Sequence, residues 1–179
     1  MERVLITGAR GRIGSVLRPA LRSGLTELRL SDLTDPDDLM APETSFPADL
    51  RDFDAVLRAV EGVDAVVHLG AVSDEAPFEQ IAGPNLHGTF HVYEACRRAG
   101  VKRVVFASSS HATGMYPVGK PLDPAVTPRP DGIYGASKVW GEALARHYAD
   151  AHGLSMICLR IGAVNAEDRP LAPRQYSVW

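Results

Sequence analysis

Three glycines spaced three apart, Gly8, Gly11 and Gly14, follow directly on the first apolar run of the chain, Arg3–Thr7. A strand that turns this abruptly into a helix needs a tight turn at Gly8 and a bare backbone at Gly11. It also needs close helix–strand packing at Gly14. The helix that follows, from about Ile13 to Ser23, points its unpaired N–H groups and positive dipole end out of the turn. The stretch Thr7-Gly8-Ala9-Arg10-Gly11-Arg12-Ile13-Gly14 is thereby shaped to receive a pyrophosphate. Gly8, Arg10, Gly11, Arg12, Ile13 and Gly14 are its candidate contacts.

This turn opens an alternation that continues along the chain. A second strand, Glu27–Ser31, ends at Asp32, and a Pro- and Asp-rich loop leads to a weak strand near Thr44–Ala48. Next come a helix Asp52–Glu61, a strand Asp64–Leu69, a helix from about Pro84 to Ala99 and a strand Lys102–Ala107. A Gly/Pro-rich loop, Ser108–Ile133, precedes a helix from about Tyr134 to Ala151, a sixth strand Leu154–Ile161 and an irregular tail. Strands alternating with helical patterns predict an α/β fold, a doubly wound parallel Rossmann sheet in three layers, with strand order 3-2-1-4-5-6. Pro47 lacks a backbone donor, so the third strand belongs at a sheet edge, where that order puts it. With 179 residues and no internal repeat, residues 1–179 read as a single dinucleotide-binding domain.

Ligands of such sheets sit at the carboxyl ends of the strands, and every polar motif of this chain falls there. Asp32 closes the second strand, where a carboxylate accepts hydrogen bonds from an adenosine ribose and repels a 2′-phosphate, favouring NAD over NADP. Arg10 and Arg12 pull the other way, since a cation in the turn can meet that phosphate; the reading sides with Asp32. Asp49 and Leu50 follow the third strand as candidates for the adenine, although Asp52 as a helix cap also explains acid in this stretch. Leu69, Gly70 and Ala71, after the fourth strand, leave a shelf with little side-chain bulk.

Tyr134 and Lys138 stand at i and i+4 on one face of the long helix. A phenol is a poor base at neutral pH, but a neighbouring cation favours the phenolate and lowers its pKa. Tyr134 is then able to take a proton from an alcohol as hydride leaves for a nicotinamide, with Lys138 holding the nicotinamide ribose. The serines Ser108-Ser109-Ser110 at the end of the fifth strand place a hydroxyl where it can donate to the reacting oxygen.

A net charge of -3 gives no electrostatic reason to expect a nucleic acid or an anionic membrane as partner. No apolar run reaches the length of a signal peptide or a membrane span. Cys96 and Cys158 lie in apolar stretches and read as reduced, packed thiols, so the expected location is cytoplasmic. His87 and His91 have a spacing that can bind metal, yet no Cys or carboxylate completes a set, and helix packing explains them. His68 reads as a satisfied core residue. No metal is expected.

Together, T-G-A-x-G-x-I-G, Asp32, Gly70-Ala71, Ser108-Ser109 and Tyr134-Gly135-Ala136-Ser137-Lys138 resemble the extended short-chain dehydrogenase/reductase superfamily, the NAD-dependent epimerase/dehydratase type. The resemblance implies Ser109, Tyr134 and Lys138 as the catalytic triad, and Asn85 as a support for their hydrogen bonding. A narrower likeness is to uronate dehydrogenases, carried by Val67-His68-Leu69-Gly70, Pro77-Phe78-Glu79-Gln80-Ile81, His111, Gly114-x-Tyr116-Pro117 and Arg129-Pro130-Asp131-Gly132. It implies NAD-dependent oxidation of galacturonate or glucuronate at the anomeric hydroxyl to an aldarolactone. It also implies substrate contacts at Ser73, Ser109, Ser110, His111, Tyr134 and Arg174. Arg174 would pair with the uronate carboxylate in bidentate fashion. Two departures stand out: Ser110 where that family usually has Asn, and Ala163 where it often has Ser. Members of the family continue past this length, so the resemblance implies that a substrate-covering region is missing. It further implies a homodimer through the helices that carry Phe90, Tyr93, Val139, Trp140 and Leu144.

Overall fold

The computed structural model describes residues 2–117, 119 and 121–164. Among these residues six parallel strands form one sheet in the order β3-β2-β1-β4-β5-β6, the doubly wound arrangement expected. They are β1 (Glu2–Thr7), β2 (Leu25–Ser31), β3 (Glu43–Ser45), β4 (Ala65–His68), β5 (Arg103–Ser109) and β6 (Ser155–Ile161). Helix α1 (Arg12–Leu21) covers one face, packing Leu17 and Leu21 over Val4, Ile6, Leu28 and Leu30. Helices α2 (Phe53–Val60), α4 (Gly88–Ala99) and α5 (Ile133–His152) cover the other, and the larger core lies there around Leu5, Val66, Val92, Tyr93 and Phe106.

Local chemistry explains most boundaries. Asp52 caps α2, accepting the Ala55 N–H at 3.1 Å. Gly100 and Gly153 end α4 and α5 in the left-handed conformation. The third strand is shorter than expected and stops two residues before Pro47, which explains why the proline is tolerated.

Two further elements differ from the sequence reading. The helix thought to begin at Pro84 begins instead at Phe78, as α3 (Phe78–Ile81), and passes through a π-helical segment, Ala82–His87, into α4. Pro84 has no N–H and would clash with a carbonyl one turn back, so in an α-helix it belongs at the start. Here the wider turn accommodates it within the helix, and the Gly88 N–H reaches Gly83 O, five residues back. The fifth strand also runs two residues further, through Ser109, into a 3-10 turn, Ser110–Thr113.

The expected spare apolar face of α4 and α5 is smaller than anticipated. Tyr93 is fully buried against Phe106 and Tyr148, whereas Phe90 and Trp140 stay exposed. Ile157 and Leu159 of β6 are also about half exposed. No helix among the described residues is long and apolar enough to cross a membrane.

Candidate active site

Parallel register aligns the strand ends: Thr7 pairs with His68, and His68 with Phe106. The β1–α1 turn, the end of β2, the β4–α3 loop and the end of β5 therefore open on one side of the sheet. There they line a single large cleft. Gly8, Arg10, Gly11, Arg12, Ile13, Gly14, Asp32, Asp49, Leu50, Leu69, Gly70 and Ala71 line it together with Ser73, Ser109, Ser110, His111, Tyr134 and Lys138. Asn85 lies buried behind this surface. Arg174 lies outside the described residues.

On the β1–β2 side the wall is backbone. Gly8 has φ +68°, and a Cβ there would stand 2.7 Å from both N and Cα of Gly70, so the two turns touch main chain to main chain. Thr7 Oγ1 accepts the Gly70 N–H at 3.2 Å and lies 2.7 Å from His68 Nδ1. His68 Nε2 is 3.3 Å from Thr89 Oγ1. Burial, aided by the Lys138 charge, pulls this imidazole down to about 3, so His68 is a neutral, satisfied core residue, as its sequence context suggested.

The first turn of α1 has no acidic side chain, and Gly11 caps it without one. Its N–H groups are thus left facing the cleft, and the residues present fit a dinucleotide pyrophosphate. Asp32 accepts the Arg10 N–H at 2.9 Å and the Leu33 N–H at 2.8 Å, which holds its carboxylate at the rim. The Arg10 guanidinium is turned to Thr34 and lies 4.0 Å from Asp37. The Asp49 carboxylate is taken by Arg51 in a fork, at 2.6 and 3.0 Å, and Arg51 holds it below the usual carboxylate range. Leu50 packs where Cβ atoms at Gly70 and Gly88 would otherwise be.

The opposite wall is made by side chains. Tyr134 and Lys138 point into it from α5, and Ser109 from the end of β5. Lys138 is 4% exposed, its Nζ 5.1 Å from the Phe106 ring centroid and 5.5 Å from that of Tyr134. Burial pulls the ammonium down to about 8. The sequence argument expected a cation to lower the Tyr134 pKa. Instead burial pushes the phenol up, against the Ser109 hydroxyl that favours its ionised form, and the Asp74 charge adds to the rise. The same low-dielectric wall that keeps Lys138 close also penalises the phenolate.

Asn85 hydrogen-bonds to the loop and to Ser137 and so reaches the Tyr134 backbone. Its amide accepts the Val72 N–H at 2.8 Å and donates to Val72 O and to Ser137 Oγ, each at 3.0 Å. Ser137 Oγ in turn donates to Tyr134 O at 2.7 Å. From the other end of the same loop, Glu75 accepts the N–H groups of Ile133 and Tyr134, both at 3.0 Å, capping α5. Sequence reasoning missed Glu75, and only the bare Gly132 beside it gives a hint, because a Cβ there would overlap the Glu75 carboxylate. It also missed Glu142, one turn beyond Lys138, which accepts from Ser108 and from Arg160 at 2.8 and 2.9 Å. Burial alone would raise its carboxyl, but Arg160 and Ser108 hold it low. Ser73 Oγ donates to Asp74 at 3.3 Å. Among the described residues no cluster of three His, Cys, Asp or Glu could hold a metal. His91 bonds Leu50 O at 2.7 Å and packs on Phe53.

Comparison with known proteins places this architecture. The chain is 48% identical over 99% of its length to uronate dehydrogenase of Pseudomonas syringae pv. tomato, spanning 64% of that protein. It is 45% identical over its whole length to uronate dehydrogenase of Agrobacterium fabrum, spanning 67% of it. A solved structure of a mutant uronate dehydrogenase from Agrobacterium tumefaciens complexed with NAD superposes with a TM-score of 0.88 at 46% identity, over 91% of this chain and 62% of that one. The chain thus spans roughly two thirds of the relatives it matches. Residues 4–174 match the NAD dependent epimerase/dehydratase family, and the chain belongs to that family.

Proposed function

We propose that this chain carries the cofactor and catalytic half of an NAD-dependent uronate dehydrogenase, oxidising galacturonate or glucuronate at the anomeric hydroxyl to the aldarolactone. The observation that carries the reading is the convergence of Ser109, Tyr134 and Lys138 on the cleft wall facing the glycine turn, in a chain similar to proteins of that activity. Bound NAD would supply the hydride acceptor. Tyr134 takes the hydroxyl proton, Ser109 donates to the same oxygen and favours the ionised phenol, and Lys138 holds the ribose. Asn85 and Glu75 hold the Tyr134 main chain in place, and Arg174 is the partner proposed for the uronate carboxylate. Asp32 at the rim, with Arg10 turned away to Thr34 and Asp37, favours NAD over NADP.

The reading extends to a cytoplasmic homodimer. Cys96 and Cys158 are free thiols that suit a reducing compartment, and exposed Phe90 and Trp140 on α4 and α5 offer apolar contact area. NADH formation from NAD, followed by absorbance against a panel of uronates, neutral aldoses and UDP-sugars, tests the activity. Uronates should be oxidised best. Turnover confined to UDP-sugars would replace the reading with nucleotide-sugar chemistry.

A further inference from the structure

The 3-10 turn Ser110–Thr113 is clamped to the stretch Arg129–Asp131 by main-chain bonds. Arg129 N–H donates to Ala112 O at 2.9 Å, Met115 N–H to Arg129 O at 3.0 Å, and Asp131 N–H to His111 O at 3.3 Å. Within the clamp the Asp131 carboxylate meets the His111 ring, with Nδ1 at 2.9 and 3.0 Å from its two oxygens. Gly114 makes the room, since a Cβ there would overlap that carboxylate. The imidazole stands edge to face with Tyr134, ring centroids 5.7 Å apart, and 56% of its side chain is open on the cleft.

A carboxylate only accepts hydrogen bonds, so Nδ1 must carry a proton. In the neutral ring the lone pair then sits on Nε2, which has no hydrogen-bond partner among the described residues. We propose that Asp131 is a positioning residue that fixes His111 as the Nδ1–H tautomer, making Nε2 an acceptor that reads a hydroxyl of the sugar and not its carboxylate. This rests on the uronate reading above. An acceptor nitrogen repels a carboxylate oxygen and welcomes an O–H donor. His111 therefore orients the sugar with its acid group directed elsewhere, beside the phenol that takes the proton.

Long-range 1H–15N spectra of the 15N-histidine-labelled protein, read at the alkaline end of a pH titration, report the tautomer directly. His111→Gln identifies the signal. Wild type should show a protonated Nδ1 and a bare Nε2, and Asp131→Ala should mix the two forms. A protonated Nε2 in wild type overturns the proposal whatever the substrate proves to be.

The kinetic arm is a double-mutant cycle. Asp131→Ala should raise the KM for galacturonate about tenfold and leave kcat and NAD affinity nearly unchanged. Added to His111→Phe, it should change KM by less than about twofold. Additive effects would mean that Asp131 acts through the clamp alone and not through His111. The cycle repeated with Asp131→Leu, which fills the space but offers no acceptor to Nδ1, covers a misfolded alanine variant. Absence of uronate turnover in wild type would sink the uronate reading while leaving the tautomer result standing.

Discussion

On the β1–β3 side the cleft is walled by main chain, with Gly8 against Gly70 and the uncapped start of α1 between them; on the β4–β6 side it is walled by side chains. The first wall derives its shape from residues that lack something, and its ionic support lies away from the cleft. There buried Glu43 joins Arg18 at 2.8 Å and Arg22 at 2.9 Å, tying α1 to the edge strand β3. The second wall holds a buried lysine and a buried phenol in position through Asn85, Ser137 and Glu75. Where one wall contributes to stability, the other draws on it.

The largest effect should fall on the side-chain wall. Tyr134→Phe is expected to cut turnover roughly a thousandfold, while calorimetric NAD affinity stays near wild type because the backbone wall is untouched. Near-normal turnover would break the division of labour between the two walls.

Lys138→Met should also abolish most turnover, yet it should stabilise the fold by roughly 1–2 kcal/mol in thermal unfolding at neutral pH. The sign follows from the depressed value: folded Lys138 titrates at about 8, below its ordinary 10.5. Between those values the unfolded chain binds more protons, so wild-type stability rises with pH through that window. The variant should lack that rise. A loss of stability would mean that the Phe106 and Tyr134 rings repay the burial of this charge.

On the other side the same experiment should give the opposite result. Glu43→Gln leaves Arg18 and Arg22 facing a neutral amide and should cost roughly 3 kcal/mol. Burial alone would raise the Glu43 carboxyl, but the two guanidiniums and the Met40 N–H hold it at about 2. In wild type this contribution is complete above about 4.5 and is lost as pH falls toward 2. Acid unfolding curves of the two proteins should converge at the low end.

Smaller effects sharpen the picture. Glu75→Ala removes the cap on α5 and should lower kcat about tenfold with the KM for NAD little changed. Equal loss in both would show the two walls to be coupled. Asp32→Ala, at an exposed rim, should narrow the preference for NAD over NADP by only about threefold.

The two walls also differ in how far the sequence revealed them. The glycine turn, Asp32 and the strand order were legible because a turn, a strand end and a period are local. Ser109, Tyr134 and Lys138 were legible as residue types, but their ionisation was not, because burial is set by the whole core. Glu75 and Tyr134 are 59 residues apart, and Asn85 and Ser137 are 52 apart, so no local pattern marks either contact. The helix start at Phe78 was hidden because Pro84 looks like a beginning, and in a regular helix it would be one.

That proline lies in the π segment, which sets a phase. Each residue of an α-helix advances about 100° around the axis, and a π turn takes in one residue more than an α turn does. Wound instead as a regular α-helix, the same residues would advance one step too far and swing everything upstream by that angle relative to α4. Asn85 could then no longer face both Val72 and Ser137 with α4 still seated on the sheet. The irregular turn acts as a gear offset: α4 is indexed to the core, α3 to the cleft, and the surplus residue allows both settings at once.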